Sequence, residues 1–167
     1  MAKAKTNTFY IRETVDVDTS LTTATMDLSI YVDPVNKQGL LVRQVDFIWT
    51  DNTDWVPPPA AAWQAAIQIH DTALGGMADP DNNHQVASGS VVSTTSGSFS
   101  DQDFFPDRLG MAKGEGRIIV NDTMEICTLG AGSIVGGYVC TAVLEVEVVK
   151  LTEKDYISLA LQSVADS

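Results

Sequence analysis

Basic residues are scarce in this chain. Lys and Arg number 10 of 167 residues against 22 Asp and Glu, and the formal net charge is −12. A field of that sign repels phosphate backbones and anionic lipid. Sequence-specific nucleic-acid binding is therefore not expected. Cysteine is scarcer still, with Cys127 and Cys140 alone. Two thiols exclude a disulfide scaffold and a zinc site built from cysteines. No stretch approaches the roughly 18 consecutive apolar residues of a membrane-spanning helix. Lys3 and Lys5 are not followed by an apolar run of about 7–15 residues, so no secretory leader is expected. The chain is then expected to stay in the cytosol, or to leave by lysis or inside a larger particle. Histidine occurs only as His70 and His84.

What is present is alternation with a period of two, the mark of strands with one face in a core. Phe9, Ile11, Val15 and Val17 share one face, with Tyr10, Arg12, Thr14 and Asp16 on the other. Met26, Leu28, Ile30 and Val32 alternate with Asp27, Ser29 and Tyr31. Leu41, Val45, Phe47 and Trp49 alternate with Val42, Gln44, Asp46 and Ile48, Arg43 breaking the rhythm. Residues 63–70, 117–126 and 144–148 behave likewise, and 85–92 and 98–105 are less regular candidates. The total is about eight strands. Eight short strands with no helix between them predict an all-β fold, an eight-stranded antiparallel sandwich. At 167 residues and 44% hydrophobic content, one domain with one core is expected.

The connectors carry turn chemistry. Asp33-Pro34 to Gly39 reads as a turn, and Pro57, Pro58 and Pro59 stiffen a longer loop. Near the C-terminus the period changes. Thr152 reads as an N-cap with Asp155 three places on, and Ile157, Ala160, Leu161 and Val164 follow at helical spacing. A helix of about 12 residues is marginal alone and needs a surface, its own sandwich or a neighbouring subunit. The expected layout is an N-terminal arm over 1–8, a sandwich over 9–150, and a helix and tail over 151–167.

The search for chemistry yields little. The run from Gly130 to Gly137 lacks the spacing of a dinucleotide fingerprint and the lysine of a phosphate loop, so it reads as a hairpin tip. A hairpin there would set Cys127 opposite Cys140, either as packed thiols or as a disulfide. No serine stands in a nucleophile elbow, and no enzyme is expected. Asp79, Asp81 and Asn83 begin like a calcium loop but lack its glycine and terminal glutamate, so calcium is the one cofactor to consider. Trp55 beside Pro57 and Pro58, and Tyr10 and Tyr31 on outward phases, are candidate interface anchors, as are Ile157 and Leu161 on the helix. Trp55 could equally cap one end of the sandwich.

In layout the chain resembles the single jelly-roll capsid proteins of tailless icosahedral viruses, the acidic archaeal and halophilic ones in particular. Residues 42–49, 117–126 and 138–151 with the helix over 152–164 carry the resemblance best. It implies a virion component that self-assembles into a shell, partnered by copies of itself and by other structural proteins of the particle. It also implies an arm whose Lys3 and Lys5 face an inner membrane or genome. Two other classes stay open: a carbohydrate-binding or adhesin-like sandwich, and a phage decoration or tail protein.

Overall fold

The computed structural model describes residues 2–56, 58, 61–96, 99–102, 115–134 and 137–165. Among the described residues, ten strands and one helix follow one another: β1 (Lys3–Ala4), β2 (Phe9–Val17), β3 (Thr22–Asp27), β4 (Gln38–Asp51), β5 (Trp63–His70), β6 (Gln85–Ser93), β7 (Phe99–Gln102), β8 (Arg117–Ile119), β9 (Thr123–Gly132), β10 (Tyr138–Lys150) and α1 (Glu153–Ala165). They form two antiparallel sheets. One has the order β2-β10-β4-β8, with β1 beside the far end of β10. The other has the order β3-β9-β5-β6-β7.

Setting β1 and β7 aside leaves two four-stranded sheets whose strands interleave along the chain. That double Greek key is the jelly roll. Each connection among these eight strands crosses from one sheet to the other, except β5 to β6. The inner faces meet in one core that includes Val15, Val17, Leu40, Val42, Ile67, Ile69, Ile126, Leu144 and Val146. The all-β sandwich with a C-terminal helix expected from alternation is what the chain forms.

The rhythm break at Arg43 is a β-bulge. Glu145 pairs with Gln44, but Val146 pairs with Val42, so Arg43 is the extra residue. Val42 and Val45 therefore both reach the core, and Leu41 faces outward. There Leu41, Val120, Val149 and Leu151 make a small second cluster on which Tyr156, Leu159 and Ala160 of α1 pack. The helix thus docks on its own sheet, through Ala160 of the expected stripe together with Tyr156 and Leu159. The Asp155 amide donates to Thr152 Oγ1 at 3.2 Å, the expected cap. Tyr156, Leu159 and Ala160 lie at i, i+3 and i+4 and turn Ile157 and Leu161 to solvent.

Several strand expectations are corrected. Residues 117–126 do not form one strand: β8 joins β4 and β9 joins the other sheet, with residues 120–122 switching between them. The third strand stops at Asp27, whose carboxylate accepts the Ser29 amide. A turn follows, with the Tyr31 and Val32 amides donating to the Leu28 carbonyl. Leu28 and Val32 stay buried while Ile30 swings outward. Residues 3–8 lie along the sheet. Lys3 and Ala4 pair with Lys150 and Val149, and Thr8 Oγ1 donates to Glu147 Oε1 at 3.0 Å.

The glycine-rich run is not a hairpin tip. β9 and β10 belong to opposite sheets, so Cys127 and Cys140 are not a cross-strand pair. Cys127 pairs across its ladders with Thr23 and Gln68, and Cys140 with Val15 and Trp49. The glycines serve a crossover instead. Gly132 sits at φ 90°, where a Cβ would lie 2.6 Å from the Ala62 carbonyl oxygen.

Leu144 is fully buried between Ile11 and Val45 on the central strand. Leu144→Ala is expected to cost about 2–5 kcal/mol in urea unfolding. Val92→Ala, on the exposed face of β6, should stay within about 0.5 kcal/mol.

Candidate functional site

Two kinds of place in this fold can do something: the uncovered apolar residues at its ends, and a buried polar cluster on the outer face of the β5-β9 ladder.

The connections after β2, β4 and β9 gather at one end of the sandwich. The Gly130 amide donates to the Asp18 carbonyl at 2.7 Å, Asn52 to Gly137 at 2.7 Å and Ser133 to Ala62 at 3.0 Å. Trp55 stands at this end, 63% exposed, with φ at 58°. A left-handed backbone is unusual for so bulky a residue. It is held there by a tight turn in which the Trp55 amide donates to the Asp51 carbonyl and Val56 accepts from the Asp51 amide. Val56 and Ile48 are exposed as well. Pro58 is buried, and Pro57 lies outside the described residues, as do Phe104 and Phe105.

The other aromatic anchors separate. Tyr10 projects from the outer face of β2 and carries the Arg12 guanidinium 5.6 Å above its ring. Tyr31 turns partly inward against Phe9, ring centres 5.2 Å apart, because the strand it was assigned to has become a turn. On α1, Ile157 is 50% and Leu161 64% exposed.

The polar cluster lies under the connection from β5 to β6, residues 71–84, which folds back over its own sheet. His70 and Gln68 end β5 on its outer phase. Glu125 stands opposite His70, and Cys127 opposite Gln68. All but Gln68 are buried. Glu125 Oε1 lies 3.1 Å from Cys127 Sγ and 3.6 Å from His70 Nδ1, and Cys127 Sγ lies 3.9 Å from the same nitrogen. The Gly75 amide donates to both Glu125 oxygens, at 2.9 and 3.1 Å. Burial pushes the Cys127 thiol up to about 12, and the Glu125 carboxylate adds to the rise. Burial also holds the His70 imidazole below its ordinary value, the Glu125 charge opposing this. The trio is no hydrolytic triad. Thiol and carboxylate face one ring nitrogen, so no relay through the imidazole exists, and a thiol so hard to ionise is a poor nucleophile.

The covering loop is anchored at both ends. Arg117 at the start of β8 donates to Asp71 Oδ2 at 2.6 Å and to the Gln85 carbonyl at 3.0 Å, and also to the Asn83 carbonyl. His84 Nδ1 meets Asp71 Oδ1 at 2.7 Å. Asp79, Asp81 and Asn83 lie along this loop, exposed to solvent. Among the described residues, the group of three or more metal-ligating side chains is His70, Glu125 and Cys127, and neither Asp79 nor Asp81 belongs to it. Alternation over residues 63–70 puts His70 on the phase opposite Ile67 and Ile69 and carries no further signal. The missing signal was the pairing of β5 with β9, which no local pattern carries.

No protein-family model matches the chain, and no curated protein matches it. Solved structures do. The VP1 of Merkel cell polyomavirus, as an unassembled pentamer, aligns at a TM-score of 0.48 and 9% identity over 90% of this chain and 98% of that one. The VP1 of trichodysplasia spinulosa-associated polyomavirus aligns at 0.44 and 9%, over 90% and 97%. The VLP of the extra small virus of the giant freshwater prawn Macrobrachium rosenbergii aligns at 0.34 and 9%, over 89% and 82%. These scores all fall below one half, and the jelly roll rests on the strand order itself. Among the described residues, no helix is long and apolar enough to cross a membrane.

Arg117→Ala removes the guanidinium that gathers Asp71, Asn83 and Gln85. Hydrogen exchange is expected to quicken over residues 71–84 through local opening and to stay nearly unchanged in β10, the loss being confined to the loop and global stability falling by less than about 1 kcal/mol.

Proposed function

We propose that the chain is the building block of a protein shell, a capsid subunit that assembles with copies of itself. One observation carries this reading: two exposed apolar patches at opposite ends of the central strand. Trp55, Val56 and Ile48 stand where β4 pairs with the start of β10, since Asp51 is opposite Tyr138. Ile157 and Leu161 stand on α1, which begins just beyond Lys150. The 13 residues of β10 lie between. At about 3.3 Å per residue the patches are roughly 40 Å apart. Two unlike patches on one subunit make head-to-tail contacts, which close into rings or extend into lattices. A jelly roll with its core shut can present them without rearranging.

The charge sets the condition. At −12, subunits repel until salt or divalent ions screen them. An acidic, lysine-poor surface fits a saline setting, and with it a virus of a halophilic or archaeal host. Localisation in the virion and contacts with other structural proteins of the particle follow from this reading. So does any approach of Lys3 and Lys5 to an inner membrane.

A second reading has its own observation. Trp55 is an exposed indole on a backbone fixed at φ 58°, a presentation that suits stacking on a sugar ring. Quenching of its fluorescence by one class of glycan would favour a carbohydrate-binding sandwich.

Light scattering and negative-stain microscopy across salt concentrations test the shell reading. Rings or particles are expected to appear as salt rises. Trp55→Ala, and separately Ile157→Asp with Leu161→Asp, should leave folded monomers with an unchanged melting temperature. A wild-type chain that stays a 17.9 kDa monomer at every salt and protein concentration overturns it.

A further inference from the structure

The cluster beneath the β5–β6 loop holds more acceptors than protons. Gln68 makes this visible. Its Nε2 donates to the Ala78 carbonyl at 3.0 Å and its Oε1 accepts the Ala78 amide at 2.7 Å, which fixes which way the side-chain amide points. The same Oε1 lies 3.1 Å from His70 Nε2. An oxygen there can only accept, so Nε2 carries the ring proton and Nδ1 is left with its lone pair. That lone pair faces Glu125 Oε1 and Cys127 Sγ. Three lone-pair donors thus converge, buried, with the thiol hydrogen as the one proton among them.

We propose that His70 Nδ1, Glu125 Oε1 and Cys127 Sγ bind one divalent transition-metal ion, zinc fitting best, which clamps the β5–β6 loop to the sheet. The mixed nitrogen, oxygen and sulfur set is one that zinc takes, and calcium, which wants oxygen alone, does not. The spacing agrees. Tetrahedral zinc with bonds of about 2.0–2.3 Å separates its ligand atoms by about 3.3–3.8 Å. The three separations here are 3.1, 3.6 and 3.9 Å, which small side-chain rotations would equalise. The Gly76 carbonyl oxygen, 3.5 Å from Cys127 Sγ, is placed to be a fourth ligand.

Charge and surroundings point the same way. Binding breaks the Cys127 S–H bond, releases its proton to solvent and forms the metal–sulfur bond, with no change of oxidation state. A divalent ion with one thiolate, one carboxylate and a neutral imidazole sums to zero, which suits a buried site. Gln68 is the outer partner that holds the ligating histidine in its tautomer, and the Gly75 amide does the same for the carboxylate. Four of these groups come from β5 and β9, the rest from the loop between residues 71 and 78, so the ion would join elements far apart in sequence.

The test uses the full chain, freed of metal by a chelator and titrated with cobalt as a zinc stand-in. A near-ultraviolet thiolate-to-cobalt charge-transfer band is expected, saturating at one ion per chain and abolished by excess zinc. Zinc should also raise the melting temperature and slow hydrogen exchange over residues 71–78, while calcium should do neither. Cys127→Ser should lose the band and Cys140→Ser should keep it. Gln68→Leu should weaken cobalt binding by about 10–100-fold. A folded wild-type apoprotein that gives no band overturns the proposal. So does a band that survives in Cys127→Ser, or a calcium effect equal to that of zinc. If Cys127→Ser does not fold, Glu125→Gln and the wild-type zinc and calcium melting curves decide.

Discussion

β10 is the strand on which the rest depends. It pairs along its length with β4 on one side and with β2 and then β1 on the other, so its amides and carbonyls are committed in both directions. Its inward residues Leu144, Val146 and Val148 line the main core, and Val149 faces outward into the second cluster. A strand buried on one face for most of its length and on both at its end cannot slip. A one-residue shift would exchange its core and solvent faces. The bulge at Arg43 is the one concession in this ladder. It lets the core run unbroken from Val42 to Val45 and turns Leu41 out to receive the helix.

That concession links fold to function. Without an outward Leu41, α1 would have a smaller surface to dock on, and a short helix is not stable alone. Docking through Tyr156, Leu159 and Ala160 spends one apolar stripe and leaves Ile157 and Leu161 uncovered. At the other end of β10, the turn at Asp51 holds Trp55 outward. In the proposed shell the sandwich would be the spacer between these two exposed apolar ends. The buried cluster under the β5–β6 loop is a separate matter. It concerns the stability of one subunit, and its fate is read on the monomer.

Alternation made most of the strands legible, because a half-buried strand must place apolar side chains at every second position. It failed where the period was right and the strand was not. Leu28 and Val32 are spaced for a strand and for a single helical turn alike, and the carboxylate of Asp27 chose the turn. Residues 117–126 alternate throughout, yet the chain changes sheets at 120–122. The helix announced itself through Thr152 and its change of period, but two stripes of apolar residues competed, and only the shape of the sheet could choose between them.

The amino-acid pattern by itself determined the class of fold, the terminal helix with its cap, and the acid surface. These are local or summed properties. The tertiary structure alone decided which strand lies beside which. Nearly every connection in this topology crosses between sheets, so neighbours in sequence are seldom partners in space. That is why Cys127 turned away from Cys140 and met His70 and Glu125 instead. A count of two cysteines argued against a zinc site made of cysteines, while one cysteine, one histidine and one glutamate from paired strands make the proposed ligand set, which no spacing along the chain displays.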